Sequence, residues 1–384
     1  MPKRHSLDAV IIGAGVVGAA CAYYAARSGL SVAVVDRGPV AGGTTGAGEG
    51  NLLVSDKGAG PELDLALLST RLWRDLAGAL PPDMEYEPKG GLVVAPDETT
   101  LKALRTFAEG QRAAGVLATE VPGPALTELE PHLNPAMAGA FHYPQDAQVQ
   151  PARAAARLLA AAGVPAHLGE EVTKILHTPT GAVRGLRTPR RELLAPAVVN
   201  AAGTWGGRIA ALAGTHLPVL PRRGFVLVTE PLPRVVRHKV YAADYVADVA
   251  SDSARLQSSA VVEGTPAGPV LIGATRERVG FDRSLSLEAL RRLAAQATAL
   301  FPVLADVDVL RTYHGFRPYL PDHLPAIGAD PRVPGLFHAC GHEGAGIGLA
   351  PATGALIAAA LTGGPPPLDP TPFRPDRDFE GSPA

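Results

Sequence analysis

Apolar residues in the first forty positions come in blocks rather than in strict alternation. Residues 7–15 read LDAVIIGAG, an apolar run that stops at glycines, as a buried parallel strand entering a turn does. VVGAACAYYAARSG then carries small and apolar residues at helical spacing, and SVAVVD is a second apolar run closed by Asp36. Residues 62–80 (ELDLALLSTRLWRDLAGAL) place leucines at helical intervals and end at Pro81-Pro82. From about 81 to 149 the rhythm changes to Pro-rich text with short strand-like runs, which predicts an insert belonging to a second domain. GEEVTKILHTPTGAVRGLRT predicts a hairpin turning at TPTG. PAVVNAAGTWGG predicts a buried strand that ends in small residues. Strand-like runs dominate again from about 216 to 310 (GFVLVTE, SARLQSSAVVEG, PVLIGATRE), followed by the helical pattern SLEALRRLAAQATALF. This predicts a mostly antiparallel sheet. The chain closes with VPGLFHACGHEGAGIGLAPATG, a strand, a glycine loop and an apolar helix.

Composition narrows the class. At 384 residues two packed domains are expected, and 46% hydrophobic with 19% charged residues describes a globular chain. A net charge of −2 with dispersed Lys and Arg argues against a nucleic-acid partner. The apolar run near the N-terminus is too short for a signal peptide, and no run of apolar residues is long enough to span a membrane. Cys21 and Cys340 are the only cysteines, which excludes disulfide scaffolds, CxxC redox chemistry and cysteine-bound iron–sulfur clusters in this chain. A cytoplasmic enzyme is the plain expectation.

Gly13, Gly15 and Gly18 form G-x-G-x-x-G between the first strand and the first helix, and Asp36 ends the next strand. In that order the glycines provide a tight turn, close approach to a pyrophosphate and close helix–strand packing, and the acid accepts from a ribose hydroxyl. Residues 13–18, with Ala14, Val16 and Val17 between the glycines, are therefore expected to cradle a dinucleotide; the alternative is a glycine turn that serves packing alone. The loop after Asp36, RGPVAGGTTGAGEGNLLV, suits a long ligand lying extended and favours FAD over NAD. Thr44 and Thr45 offer hydroxyls to such a ligand, or else cap a short helix.

Three blocks in chain order, GAGVVG…VVDRG…GGTTGAGEGN, VVNAAGTWGG and the C-terminal part from about 270, resemble the D-amino-acid oxidase family of FAD-dependent oxidoreductases. That family includes glycine oxidase, sarcosine oxidase and the catalytic subunit of D-hydroxyproline dehydrogenase, and the likeness is strongest to the last. The resemblance implies an α/β (α+β overall) chain. A Rossmann-like FAD domain of glutathione-reductase type would occupy 1–80, 150–215 and 311–384, and a mostly antiparallel substrate domain 81–149 and 216–310. It also implies FAD contacts from Arg37, Gly43, Gly50, Ala201, Gly203 and Trp205, with Val172 passing the adenine or serving only as a core valine. Glu49 and Asn51 stand where the loop approaches the ring in relatives; glycine-oxidase-like chains have small apolar residues near there, so these polar ones imply a different substrate pocket. Gly341, Gly344, Ala345, Gly346 and Ile347 would aim a helix N-terminus at the pyrimidine edge of the flavin, where negative charge develops on reduction; the alternative is a capping turn.

HGFRPYLPDHLPAIG resembles the G-x-R-P…PD…P-x-IG block of glycine-oxidase-like enzymes, which gives Arg317 the substrate carboxylate. A guanidinium fork matches a carboxylate bidentately, although a salt bridge to Asp322 competes as an explanation. Tyr245 and Tyr241 are candidates for a second hydroxyl at that carboxylate, and His342 and Glu343 for the wall of the site. His338 and His342 are four apart, but glycines and a cysteine lie around them and no third ligand is evident, so no metal is expected. Sarcosine oxidases attach flavin through a cysteine near the arginine block, and 305–330 holds none, so the FAD is expected to be non-covalent. Together these imply oxidation of a small amino or imino acid (D-hydroxyproline, D-proline or glycine-like) by hydride transfer to flavin N5, giving an imine, with an electron-accepting redox subunit as partner. Two alternatives stay open: an oxidase that makes peroxide from oxygen, and a non-catalytic flavin subunit for electron relay.

Overall fold

A computed structural model of the chain describes residues 7–244, 246 and 253–379. Ala9–Ile12 lies between Val32–Asp36 and Ala197–Asn200, parallel to both. Ala166–Leu168 and Leu336–Cys340 extend the parallel sheet on either side, and Ala326–Ala329 closes one edge antiparallel. Each residue of Ala9–Ile12 is buried because both faces of this sheet are covered. Helices Val16–Arg27, Pro151–Ala162 and Gly346–Thr362 pack together on one face. The other face is covered by a meander of Lys174–His177, Val183–Arg187 and Glu192–Leu194, whose Ile175, Val183 and Leu186 meet Val10, Val35 and Val198. A continuous apolar strand is what a doubly covered parallel sheet requires.

The second sheet has eight strands and is antiparallel except where Lys239–Ala242 runs parallel to Gly91–Ala95. Helix Leu287–Leu300 buries Ala289, Leu293, Ala297 and Leu300 against it. Two expectations change here. The strand Val309–Tyr319 pairs residue by residue with Leu220–Pro231, so a boundary at 311 falls inside a strand of this sheet. The segment read as Pro-rich and strand-like also contains the helix Glu98–Ala113, capped by Asp97 accepting from the Thr100 N–H and seated on Leu101, Leu104 and Ala108. That helix has the 3–4 spacing and cap of an ordinary amphipathic helix, which the surrounding prolines obscured. Among the described residues no helix is long and apolar enough to cross a membrane.

Candidate active site

A single long cleft runs from the C-terminal ends of the parallel strands to the second sheet, with an empty volume of about 1680 Å³ counting its open mouth. At one end lie Asp36, Arg37 and Val172; Gly13, Gly15, Val16, Val17, Thr44, Thr45, Ala201 and Gly203 line the middle; Glu49, Asn51, Arg317, Gly344, Gly346 and Ile347 line the far end.

The glycine motif is shaped by contact as well as by torsion. Gly13 has φ of 118°, and a Cβ there would lie 2.3 Å from the Ala201 carbonyl oxygen. A Cβ on Gly18 would lie 1.9 Å from the Gly13 carbonyl oxygen, so the helix reaches the strand only because Gly18 has no side chain. Ala14 and Gly18 do not line the cleft, and their part is to hold this turn. Asp36 accepts from the Ala14 N–H and the Gly38 N–H, each at 2.7 Å, and a carboxylate so engaged keeps lone pairs for a ribose hydroxyl. Arg37 stacks over the Trp205 ring at 3.9 Å, making one wall of this end.

The two threonines divide their work. Thr45 accepts from the Val16 N–H at 3.0 Å and so docks the loop on the first helix. Thr44 donates to the Phe316 carbonyl at 2.6 Å and tethers the loop to the arginine strand. Gly50 and Gly341 lie outside the cleft lining and shape its loops through positive φ, 98° and 84°.

Helix Gly346–Thr362 begins at the cleft, with Ala345 as its cap residue and no side-chain cap, so its first N–H groups remain available to a ligand. Pro351 stands inside it and leaves the Ile347 carbonyl without its helical donor. Trp73 Nε1 donates to the Ile347 and Gly348 carbonyls at 3.2 and 3.1 Å. Ser69 Oγ donates to the Gly348 carbonyl at 2.6 Å and accepts from the Ala352 N–H at 3.3 Å. Sequence reading missed Ser69 and Trp73; the signal was a proline four residues after a carbonyl that needs another donor.

Arg317 enters the cleft from Val309–Tyr319 and donates to the Thr275 carbonyl at 2.8 Å. A Cβ on Gly224 would lie 2.1 Å from its Nη1, so the guanidinium passes over a glycine set within a strand. Asp322 is not its partner: Arg377 binds both oxygens of Asp322, at 2.6 and 3.1 Å. Gly224 was also missed, although a glycine inside an apolar strand run signals close approach.

The flanking candidates separate. His342 faces the cleft, but its Nε2 is bonded to Thr353 Oγ1 at 2.9 Å and burial lowers its pKa to about 3, so it stays neutral and is a poor proton acceptor. Burial pushes the Glu343 carboxyl up, yet the His323 bond at 2.9 Å and the Arg222 charge overcome this and hold it below its usual range. Tyr241 is fully buried and donates to Ser55, which binds Asp146, so it belongs to the core rather than the site. Tyr245 lies outside the described residues. His338 accepts from Asn200 and meets Asp330, away from His342.

These features fit FAD: a pyrophosphate cradle that Cβ atoms would fill, a ribose acceptor, and a second uncapped helix start at the far end. Comparison with known proteins agrees. The FAD dependent oxidoreductase family (DAO) matches across residues 8–360. The chain is 31% identical to the hydrogen cyanide synthase subunit HcnC of Pseudomonas aeruginosa, covering 99% of this chain and 98% of that one. It is 33% identical to the glycine oxidase of Geobacillus kaustophilus, covering 92% of each. The crystal structure of glycine oxidase from Geobacillus kaustophilus superposes with a TM-score of 0.87 at 29% identity, over 97% of this chain and 99% of that one. The cradle geometry and these likenesses converge, and the chain belongs to the DAO family of FAD-dependent oxidoreductases.

Proposed function

We propose that this flavoenzyme oxidises a small amino or imino acid, glycine-like or proline-like, at the carbon next to nitrogen, giving an imine. The observation that carries this reading is the position of Arg317, a cation lining the far end of a cleft whose other walls cradle the cofactor. When bound, FAD supplies the two-electron acceptor. Gly13–Val17 hold its pyrophosphate, Asp36 its ribose, and the start of Gly346–Thr362 the edge where negative charge develops. Arg317 holds the substrate carboxylate bidentately and so fixes which carbon faces the acceptor, a task of positioning rather than of proton abstraction. His342, neutral and bonded to Thr353, lends shape there and no base. Residues of 1–80 and 150–215, with the C-terminal segment beyond Tyr319, form the cofactor half in this reading, and the eight-stranded sheet forms the roof over the substrate.

Neither Cys21 nor Cys340 lines the cleft, which supports FAD held without a thioether. The relative named as a synthase subunit supports a partner polypeptide, which in this reading takes the electrons, while the relatives named glycine oxidase support oxygen as acceptor. The test is anaerobic bleaching of the flavin against D- and L-amino acids and N-methyl amino acids. Bleaching by a small amino or imino acid is expected. A flavin that none of the panel reduces, in protein with full FAD occupancy, overturns the reading.

A further inference from the structure

Glu49 is the unusual residue of the cleft. Its side chain is 7% exposed, it lines the cavity, and its Oε1 has no hydrogen-bond partner among the described residues. A buried carboxylate without a donor is costly, and natural sites keep one where a ligand completes it. Three cations share its surroundings: Lys239, Arg317 and Arg276. Lys239 already forms a fully buried ion pair with Glu263. Asn51 Oδ1, two residues on and also on the cleft wall, is a second buried acceptor with no partner among the described residues. Two buried acceptors on this wall thus lack a hydrogen-bond donor among the described residues.

The placement of Glu49 gives the spacing. A Cβ on Gly273 would lie 2.3 to 2.5 Å from its carboxylate atoms, so the head group rests on the bare backbone of that residue. Arg317 rests two residues further along the same strand, on the Thr275 carbonyl. Two residues span at most ~7 Å of strand. Both head groups thus rest on neighbouring positions of one strand, where the carboxylate and the amine of one small molecule can be held side by side.

We propose that Glu49 is the substrate-binding group for the amine: the site takes molecules with a carboxylate on Arg317 and an N–H-bearing, protonatable amine on Glu49, and discriminates against the same carboxylates without nitrogen. This rests on the reading above that the substrate is an amino or imino acid. It assigns to Glu49 the recognition of nitrogen, and with it the selection of free amines over N-acyl or hydroxy acids.

The test uses FAD-loaded wild type, Glu49→Gln and Glu49→Asp, with two probe pairs: glycine against glycolate, and D-proline against tetrahydrofuran-2-carboxylate. Apparent Kd is read from perturbation of the visible flavin spectrum for the amine-free probes. For the amines it is read from the concentration dependence of anaerobic bleaching, or from the same perturbation where no bleaching occurs. In Glu49→Gln the amine probes should weaken by about tenfold or more, as loss of a charge-assisted bond implies, while the amine-free probes change little. Glu49→Asp, which keeps the charge but withdraws it by one methylene, should fall between, and it serves as the deciding variant if Glu49→Gln does not load FAD. Equal weakening of both members of each pair, or no weakening of the amines, overturns the assignment of Glu49 while leaving amino-acid oxidation standing. Failure of wild type to distinguish or bleach with either amine overturns both readings.

Discussion

Arg317 reaches the cleft wall through room that a glycine leaves. Gly224 lets its Nη1 pass where a Cβ would stand at 2.1 Å, and Asp322, the acid nearest in sequence, is taken by Arg377. Replacing Arg317 with Leu should leave the flavin spectrum and FAD content nearly intact while kcat/KM for the best amino acid falls by roughly 30-fold or more. That fall corresponds to the ~2–5 kcal/mol carried by a buried charge-assisted pair of bonds. Arg317→Lys should recover only part, since a point charge cannot grip both oxygens. Unchanged kinetics at good FAD occupancy would move the carboxylate site elsewhere. The role proposed for Arg317 comes from the G-x-R-P block, and the glycines under it and under Glu49 were not read, because a glycine within a strand does not say which side chain will cross it.

Helix Gly346–Thr362 shows how an element is aimed. A proline one turn into the helix removes a donor, and Trp73 and Ser69 on the neighbouring helix Pro61–Ala79 restore the bonding from outside. The helix start is thereby bolted to a second helix rather than held by its own ladder alone, which holds its N–H groups towards the cleft. Trp73→Phe keeps an aromatic ring but leaves the Ile347 carbonyl without a donor, at a cost of ~1–3 kcal/mol. Chemical denaturation of the apoprotein should read that loss, and FAD titration should show weaker binding than in wild type. A variant with wild-type stability and FAD affinity would show that Trp73 fills space only. The helix and its glycine loop were plain in HACGHEGAGIGLAPATG. The bolt was not, because Trp73 and Ile347 are 274 positions apart.

The molecule as a whole has one covered parallel sheet, one eight-stranded sheet, and a cleft between them that contains no cysteine. Cys21 and Cys340 are both buried, and two thiols cannot ligate a cluster that needs four. The purified protein should release its FAD on acid precipitation, and turnover with an artificial dye should outpace oxygen uptake on the substrate that bleaches the flavin. Flavin retained in the pellet would contradict non-covalent binding. Peroxide formed as fast as dye is reduced would make the protein an oxidase in its own right.

Local physics explains what could be read from the sequence alone. An apolar run ending in G-x-G-x-x-G and answered by Asp36 admits few conformations, since the covered strand, the tight turn and the helix are set by neighbours in the chain. Those residues determined the opening strand, turn, helix and second strand, as TPTG determined its hairpin and the glycine loop the start of the closing helix. Only the tertiary structure decided which acids and bases remain chemically available. Glu343 is bound by His323 and Arg222, Tyr241 by Ser55, and His342 by Thr353, whereas Glu49 is left on a glycine facing the cleft with no donor for its Oε1 among the described residues. The reason is that a charge is quenched or kept according to its neighbours in space, and in this chain those neighbours come from strands and helices far apart in sequence.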